Sequence, residues 1–374
     1  MKIGLIGAGR LGLCLALLME EAGYDVIASD IRIDYIDSLN RKVVDTTEPE
    51  VKNLLSRSKN IYFTNSNLEV IHEADIIFTL VRTPSLANGR YDVSDVDDVI
   101  SDVLKYDWTN PDCQHKSIVI GCTTNPGDCD QFKDALPESV DVYYNPEFIA
   151  QGSIVNDLRR SDMVLVGGSG RHSKEIELIY GKIQRGYKIP SIHFMSTKAA
   201  EITKIAVNCF LTTKISYANM IGQVLSMSGL GDEIDGVLKA IGSDDRIGNK
   251  YLKFGFGFGG PCFPRDNRAF AAFATDVGVK FNIGDTTDNF NEEHHTFLRY
   301  YYVRKNSKEL PFCFKYLTYK PDTDILVESQ QYKLCLDLLD LGYRVYCTDF
   351  KIKDLCDERI IFDTPKENVC WIDF

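Results

Sequence analysis

Apolar residues in the first half of the chain fall into short runs separated by glycine and polar breaks. "KIGLIGAGRLGLCLALLMEEAGYDVIASD" passes through a β-type run, a glycine turn, a helical apolar stripe, an "AGY" break and a second β-type run. That order predicts a βαβ unit. "ADIIFTLVRTP", "HKSIVIGCTT", "VDVYYNPEF" and "DMVLVGGSG" repeat the β-type run with apolar, β-branched content. Unbroken apolar strands suit a parallel sheet covered on both faces. Strands alternating with helices to about residue 190 predict a doubly wound α/β sheet.

The pattern then changes. "STKAAEITKIAVNCFLTTKISYANMIGQVLSMSG" keeps helical periodicity and meets its first glycine at Gly222. One long helix is expected, with Ser196 and Thr197 as candidate N-caps and Glu201 near its positive end. A glycine-rich loop and further helix follow. From residue 311 a second α/β unit is expected: strand "PFCFKYLTYKPDTD", helix "SQQYKLCLDLLDLGY", strand "RVYCTDF", then short strands in "RIIF" and "NVCWIDF". A chain of 374 residues exceeds one typical core. The expected division is 1–194, 195–305 with the long helix and the glycine loop, and a short 306–374.

Composition narrows the functional classes. The net charge of −12 opposes a nucleic-acid or anionic-membrane partner. No apolar run reaches the roughly 18 residues of a membrane span, and "MKIGLIGAGRLGL" runs straight into a glycine motif rather than a leader cleavage site. Eleven cysteines, odd in number and scattered without a CxxC pair, suggest reduced thiols in a cytoplasmic compartment and no structural zinc. Most of them read as small core residues. His294 and His295, after Glu292 and Glu293, read as a solvated helix face rather than metal ligands.

Gly7, Gly9 and Gly12 form GxGxxG between a strand and a helix. The first permits the tight turn, the second lets a pyrophosphate approach backbone, and the third lets helix pack on strand. Asp30 ends the next strand, where a carboxylate can accept from ribose hydroxyls and disfavour a 2′-phosphate, so NAD is the expected cofactor. Thr83 and Thr123 follow two further strands as possible cofactor walls. Glu147 follows another, where open α/β sheets place ligands, and suits a general base or simply a helix-start acid. Lys204 and Asn208, spaced i, i+4 with Glu201 one turn earlier, are either an exposed helix face or two donors for a developing oxyanion.

"YLKFGFGFGGPCFPRD" mounts Cys262 among glycines and prolines, four residues before Asp266, with Arg265 between. A cation and loop amides can favour a nucleophilic thiolate there.

"GAGRLG", "VRTP", "NPEF", the Glu201/Lys204/Asn208 helix, "RIGNKYLKFGFGFGGPCFPRD" and "YKPDTD…ES" stand in the order found in the UDP-glucose/GDP-mannose dehydrogenase family, which the chain resembles over nearly its whole length. The resemblance implies two Rossmann-like domains joined by a long central helix that forms a homodimer core. It implies oxidation of the C6 hydroxyl of UDP-glucose to UDP-glucuronate with two NAD. Cys262 would capture the C6 aldehyde as a thiohemiacetal that is oxidised to a thioester. Lys204 and Asn208 would stabilise the oxyanion, Asp266 would accept a proton through water, and Thr123 and Glu147 would position and activate the hydrolytic water. Arg10, Leu11, Gln151 and Arg265 join the cofactor residues. Phe148, Tyr251, Lys253, Gly259, Phe263 and Lys320 join Glu147, Lys204 and Asn208 on the substrate, with Arg246 reaching the neighbouring subunit's substrate. Residues 251–260 would wrap the nucleotide with bare backbone and an aromatic wall.

The chain departs from the family pattern at Gln151 (usually Glu), Val327 and Met163 (usually Arg), Arg265 (usually Lys) and Pro261 (often Ser). Another nucleotide sugar, such as GDP-mannose or a UDP-N-acetylhexosamine, and a catalytically weak sugar-nucleotide-binding protein are the alternatives. A two-electron hydroxyacid dehydrogenase shares the GxGxxG and Lys/Asn features but needs no cysteine.

Overall fold

The computed structural model describes residues 1–108, 115–149, 152–187, 191–306 and 308–372. The chain divides into two compact units, Met1–Lys204 and Ile205–Phe374.

The first unit is built on an eight-stranded sheet. Its strands are β1 (Lys2–Ile6), β2 (Asp25–Ser29), β3 (Ile61–Thr64), β4 (Ile76–Thr79), β5 (Lys116–Ile120), β6 (Val140–Tyr144), β7 (Met163–Gly167) and β8 (Ser191–Met195), in the order β3-β2-β1-β4-β5-β6-β7-β8. All neighbours run parallel except β6 and β7, which meet antiparallel at Tyr144 and Gly167. The expected parallel sheet is therefore correct through β6, and one antiparallel joint adds two strands. β4 and β5 are buried at every position, although β5 opens with the polar pair Lys116 and Ser117. Separate apolar clusters form on this frame, one around Leu13–Met19 and Tyr180, another around Ile77, Ile118 and Val142. The order reverses between β1 and β4, the switch point beside which such sheets bind ligands at their carboxyl edge.

Helix α1 (Arg10–Glu21) leaves the β1 turn and is buried from Gly12 to Met19. Helices α2 (Asp128–Ala135) and α3 (Ser173–Ile183) follow β5 and β7. Helix α4 (Thr197–Met227) is the expected long helix of 31 residues. Ser196 Oγ accepts from the Ala199 amide at 3.4 Å, so Ser196 supplies the N-cap bond.

In the second unit, α5 (Phe263–Asp276) packs on α6 (Ile283–Lys305). A four-stranded parallel sheet, β9 (Phe312–Phe314), β10 (Val345–Cys347), β11 (Ile361–Phe362) and β12 (Cys370–Ile372), runs in the order β11-β10-β9-β12. Helix α7 (Gln330–Asp340) joins β9 to β10, as the sequence predicted, and its Ser329 cap accepts from the Tyr332 amide.

His294 and His295 do not face solvent. They are 0% and 5% exposed, while Glu292 and Glu293 beside them are exposed. His294 Nε2 meets the Gly255 carbonyl at 2.7 Å and Nδ1 meets Gln223 at 2.8 Å, and His295 pairs with Asp337 at 2.9 Å. The run "EEHH" places the acids outward and the histidines inward because consecutive helix positions diverge by about 100°.

Candidate active site

The turn after β1 carries the glycine motif in a form that demands glycine twice. Gly7 has φ +95°, and a Cβ there would lie 2.4 Å from the Leu80 carbonyl oxygen. A Cβ on Gly12 would lie 2.1 Å from the Gly7 carbonyl oxygen, so α1 sits directly against the turn. Gly9 differs. It has φ −67°, ψ −160°, and a Cβ there meets nothing within 4 Å. Open space therefore stands over backbone at the start of a helix, where amides and the helix dipole favour an anion.

Asp30, 9% exposed, lies just past β2. The Arg32 side chain donates to both of its carboxylate oxygens at 2.8 Å, and the guanidinium lies 4.1 Å from the Tyr35 ring centroid. A carboxylate has about four lone-pair sites, so ribose hydroxyls can share Asp30 with Arg32. Arg10, Arg32, Tyr35, Val44, Asp45 and Thr46 line a cavity of about 200 Å³ beside it. Bare turn, carboxylate and adjoining cavity fit a dinucleotide. Leu11 is half-buried on α1, Thr83 is buried after β4 and Thr123 is half-buried after β5, while Gln151 lies outside the described residues.

Beyond β6, Asn145 is buried and Glu147 half-buried. Tyr180 Oη of α3 stands 2.6 Å from both Asn145 Oδ1 and Glu147 Oε1. Protein packed round the Glu147 carboxyl pushes its pKa up to about 7, opposed by the Tyr180 hydrogen bond and the Lys204 charge. Lys204 Nζ donates to the Glu147 carbonyl at 3.0 Å and lies 4.8 Å from the Phe148 ring centroid. Sequence reasoning missed Tyr180. Its spacing with Ile176 and Ile183 reads as core, and no local signal announces a hydroxyl partner across 33 residues.

Glu201 is also more than a dipole-favouring acid. It is fully buried and accepts from Thr124 Oγ1 at 2.8 Å, Gly127 N at 2.6 Å and Cys129 N at 3.0 Å. It thereby ties the start of α2 and the loop carrying Thr123 to α4. Lys204 and Asn208 are 7% and 8% exposed, which rules out the exposed-face reading of this turn.

In the second unit, Asn208 Nδ2 donates to Asp266 Oδ2 at 2.6 Å, both residues buried. Cys262 is the N-cap of α5, with Pro264 in the first turn and half-buried Arg265 following. The end of a helix where amides point outward favours negative charge. Of the ten described cysteines seven are buried and Cys262 is the exposed one. Burial pushes the Cys14 and Cys122 thiols up to about 12, in keeping with inert core positions.

The glycine loop corrects one expectation. The spaces left by its missing side chains are filled by protein: a Cβ would meet Asn291 Oδ1 at 2.1 Å from Gly257, the Glu328 carbonyl at 2.3 Å from Gly259, and the Tyr319 ring at 2.5 Å from Gly260. Two loop amides are also committed, Gly255 N to Asn219 and Phe258 N to Asn291. Phe254 and Phe258 are core residues, 8% and 2% exposed, and Gly222 of α4 is bare because the Phe254 ring would lie 2.0 Å from its Cβ. The aromatic surface that remains is exposed Tyr251 edge-on to half-buried Phe263, centroids 6.1 Å apart. Lys253 is exposed, and Lys320 Nζ lies 5.7 Å from the Tyr319 ring centroid. Arg246 is exposed and pairs with Asp244. Among the described residues no cluster of three His, Cys, Asp or Glu side chains could hold a metal, and no helix is long and apolar enough to cross a membrane.

Residues 1–184 match the NAD-binding domain of the UDP-glucose/GDP-mannose dehydrogenase family, and residues 198–293 match its central domain. The chain belongs to this family. It is 28% identical over 365 residues to the UDP-glucose 6-dehydrogenase YwqF of Bacillus subtilis, covering 92% of this chain and 79% of that one. It superposes on a UDP-glucose dehydrogenase of Pyrobaculum islandicum with a TM-score of 0.84 at 25% identity, covering 97% and 86% of the two chains. A UDP-D-ManNAc dehydrogenase of Pyrococcus horikoshii shares the fold with a TM-score of 0.77 at 22% identity, covering 93% and 83%. Membership makes the chain an NAD-binding oxidoreductase.

Proposed function

We propose that this family member oxidises the C6 hydroxyl of UDP-glucose to the carboxylate of UDP-glucuronate. The observation that carries the reading is Cys262, exposed at the N-cap of α5, one turn before Asp266 and its Asn208 partner. NAD supplies the hydride acceptor for both oxidations.

The chain's residues divide the remaining work. Asp266 takes the hydroxyl proton through a water in the first oxidation. Lys204 and Asn208 donate to the oxygen as it gains negative charge. The Cys262 sulfur adds to the aldehyde carbon, giving a tetrahedral thiohemiacetal whose C–H can be lost as hydride. Glu147 then accepts a proton from a water positioned by Thr123, the water oxygen bonds the thioester carbon, and the C–S bond breaks to return the thiol. Phe148, Tyr251, Lys253, Phe263 and Lys320 hold the sugar nucleotide. Arg246 serves a neighbouring subunit, and Thr83 and Arg265 line the cofactor. Exposed Phe210, Tyr217, Met220, Val224 and Met227 form an apolar stripe on α4 suited to a homodimer contact. The scattered cysteines without a CxxC pair support a cytoplasmic enzyme.

The test is NADH counted per sugar across UDP- and GDP-sugars. Two NADH per UDP-glucose supports the reading. One would indicate a simple two-electron dehydrogenase, preference for another nucleotide would move the substrate, and binding without turnover would indicate a binding protein. Cys262→Ser should retain binding and lose steady turnover; wild-type glucuronate production by that variant overturns the thioester route.

A further inference from the structure

We propose that Asn145 and Tyr180 are positioning residues that hold a proton on Glu147 through a directed hydrogen-bond chain. The direction follows from counting protons. Asn145 Nδ2 lies 2.9 Å from the Leu165 carbonyl oxygen. A carbonyl can only accept, so the NH₂ of Asn145 faces Leu165 and its Oδ1 faces Tyr180. Tyr180 Oη is 2.6 Å from that Oδ1 and 2.6 Å from Glu147 Oε1. A phenol has one proton. Two oxygen pairs at this distance need two protons, and an ionised Glu147 leaves one pair without any.

A protonated Glu147 satisfies both. Its O–H donates to Tyr180 Oη, and the Tyr180 O–H donates to Asn145 Oδ1. When Glu147 loses its proton to solvent, the Tyr180 hydroxyl turns to the carboxylate and Asn145 Oδ1 loses its donor. That loss, in a buried site, opposes ionisation. Among the described residues Lys204 is the charged group that faces Glu147, its Nζ on the Glu147 carbonyl at 3.0 Å, and it pulls the other way. Burial of the carboxyl separately pushes the Glu147 pKa up to about 7, against the lowering that a hydroxyl donated by Tyr180 to the carboxylate would cause. The effect is a carboxyl that stores a proton near neutrality, as a group needs when it must be neutral in one step and a base in another.

This inference deepens the role proposed above for Glu147 but is tested without turnover. Infrared difference spectra of the whole chain minus its Glu147→Gln variant report the protonated carboxyl band of Glu147 as pH is varied. At about pH 6, one unit below the midpoint, the band should be present in the unaltered protein. Its absence overturns the proposal whatever any variant does. Tyr180→Phe removes the acceptor of the Glu147 proton, so the midpoint should fall by about one unit, the worth of one hydrogen bond. A tyrosine that merely donated to the carboxylate predicts the opposite, and a midpoint that rises or stays put also overturns the chain. The acid limb of the pH–rate profile is a separate readout. If the infrared midpoint falls in Tyr180→Phe while the acid limb stays, the hydrogen-bond chain stands and Glu147 is not the hydrolytic base.

Discussion

Gly9 and Gly12 lie three residues apart in one motif, yet the structure separates what a methyl group does at each. In Gly12→Ala the new carbon would sit 2.1 Å from the Gly7 carbonyl oxygen. Ordinary contact needs about 3.5 Å, so α1 and the turn must part by roughly 1.4 Å. The helix cannot yield freely, because Leu13 to Met19 are all buried. Overpacking of this kind costs about 1–3 kcal/mol and lowers the melting temperature of a unit this size by roughly 3–10 °C. If the pyrophosphate lies on this turn, movement of the helix start also misplaces its amides, and NAD affinity should fall with stability.

In Gly9→Ala the backbone angles suit alanine and the carbon meets nothing within 4 Å. Stability should change by no more than about 0.5 kcal/mol. The methyl group instead projects into the space over the turn, and NAD binding should weaken at least about tenfold, ~1.4 kcal/mol. Thermal denaturation without ligand and fluorescence titration with NADH separate the two effects. Unchanged NADH affinity in Gly9→Ala would show that the pyrophosphate does not lie on this turn. Wild-type melting of Gly12→Ala would refute the close helix–turn contact.

Other sites give independent checks. His294 is held neutral by burial, its pKa pushed down to about 4 from 6.5, so the unfolded chain binds the extra proton between those values and stability drains away as pH falls through them. The loss approaches about 3 kcal/mol, and urea midpoints of His294→Gln should lack that slope. Glu201→Ala strips three donors of their acceptor. It should cost roughly 2–4 kcal/mol by chemical denaturation, and an unshifted midpoint would deny the tie between α4 and α2. Phe210→Glu places a charge on the exposed stripe of α4 and should convert a dimer to monomer in sedimentation velocity; an unchanged mass would move the contact elsewhere.

Much of this architecture could be read from one sequence because its signals are local. Apolar, β-branched runs gave β4 and the inner half of β5, and the span without proline or early glycine gave α4. Gly7 and Gly12 were legible because strand–turn–helix packing has a fixed stereochemical demand. What stayed hidden depends on partners distant in sequence. Tyr180 has the spacing of a core residue, and only the return of α3 over the sheet brings its hydroxyl to Asn145 and Glu147. Glu201 finds its three donors more than seventy residues earlier. The "FGFGFGG" loop announced close approach without saying of what. The approaching groups at Gly257, Gly259 and Gly260 are Asn291, Glu328 and Tyr319 of the same chain.

That internal packing changes the meaning of the departures from the family pattern. Val327 is 54% exposed, and its carbonyl accepts from the Gly260 amide at 3.1 Å. Its neighbour Glu328 has φ 51° and is held by Arg268, which also pairs with Asp288. The segment therefore supports the cysteine loop through backbone that any side chain at 327 would provide. Asn219 and Asn291 brace the same loop from α4 and α6. Pro261 removes an amide just before the N-cap, but the braces bind on its other side, at Gly255, Phe258 and Gly260. The loop can thus keep its shape while Pro261, Arg265 and Val327 alter what its outer surface presents. Such substitutions should act on ligand affinity and preference before they act on the position of Cys262.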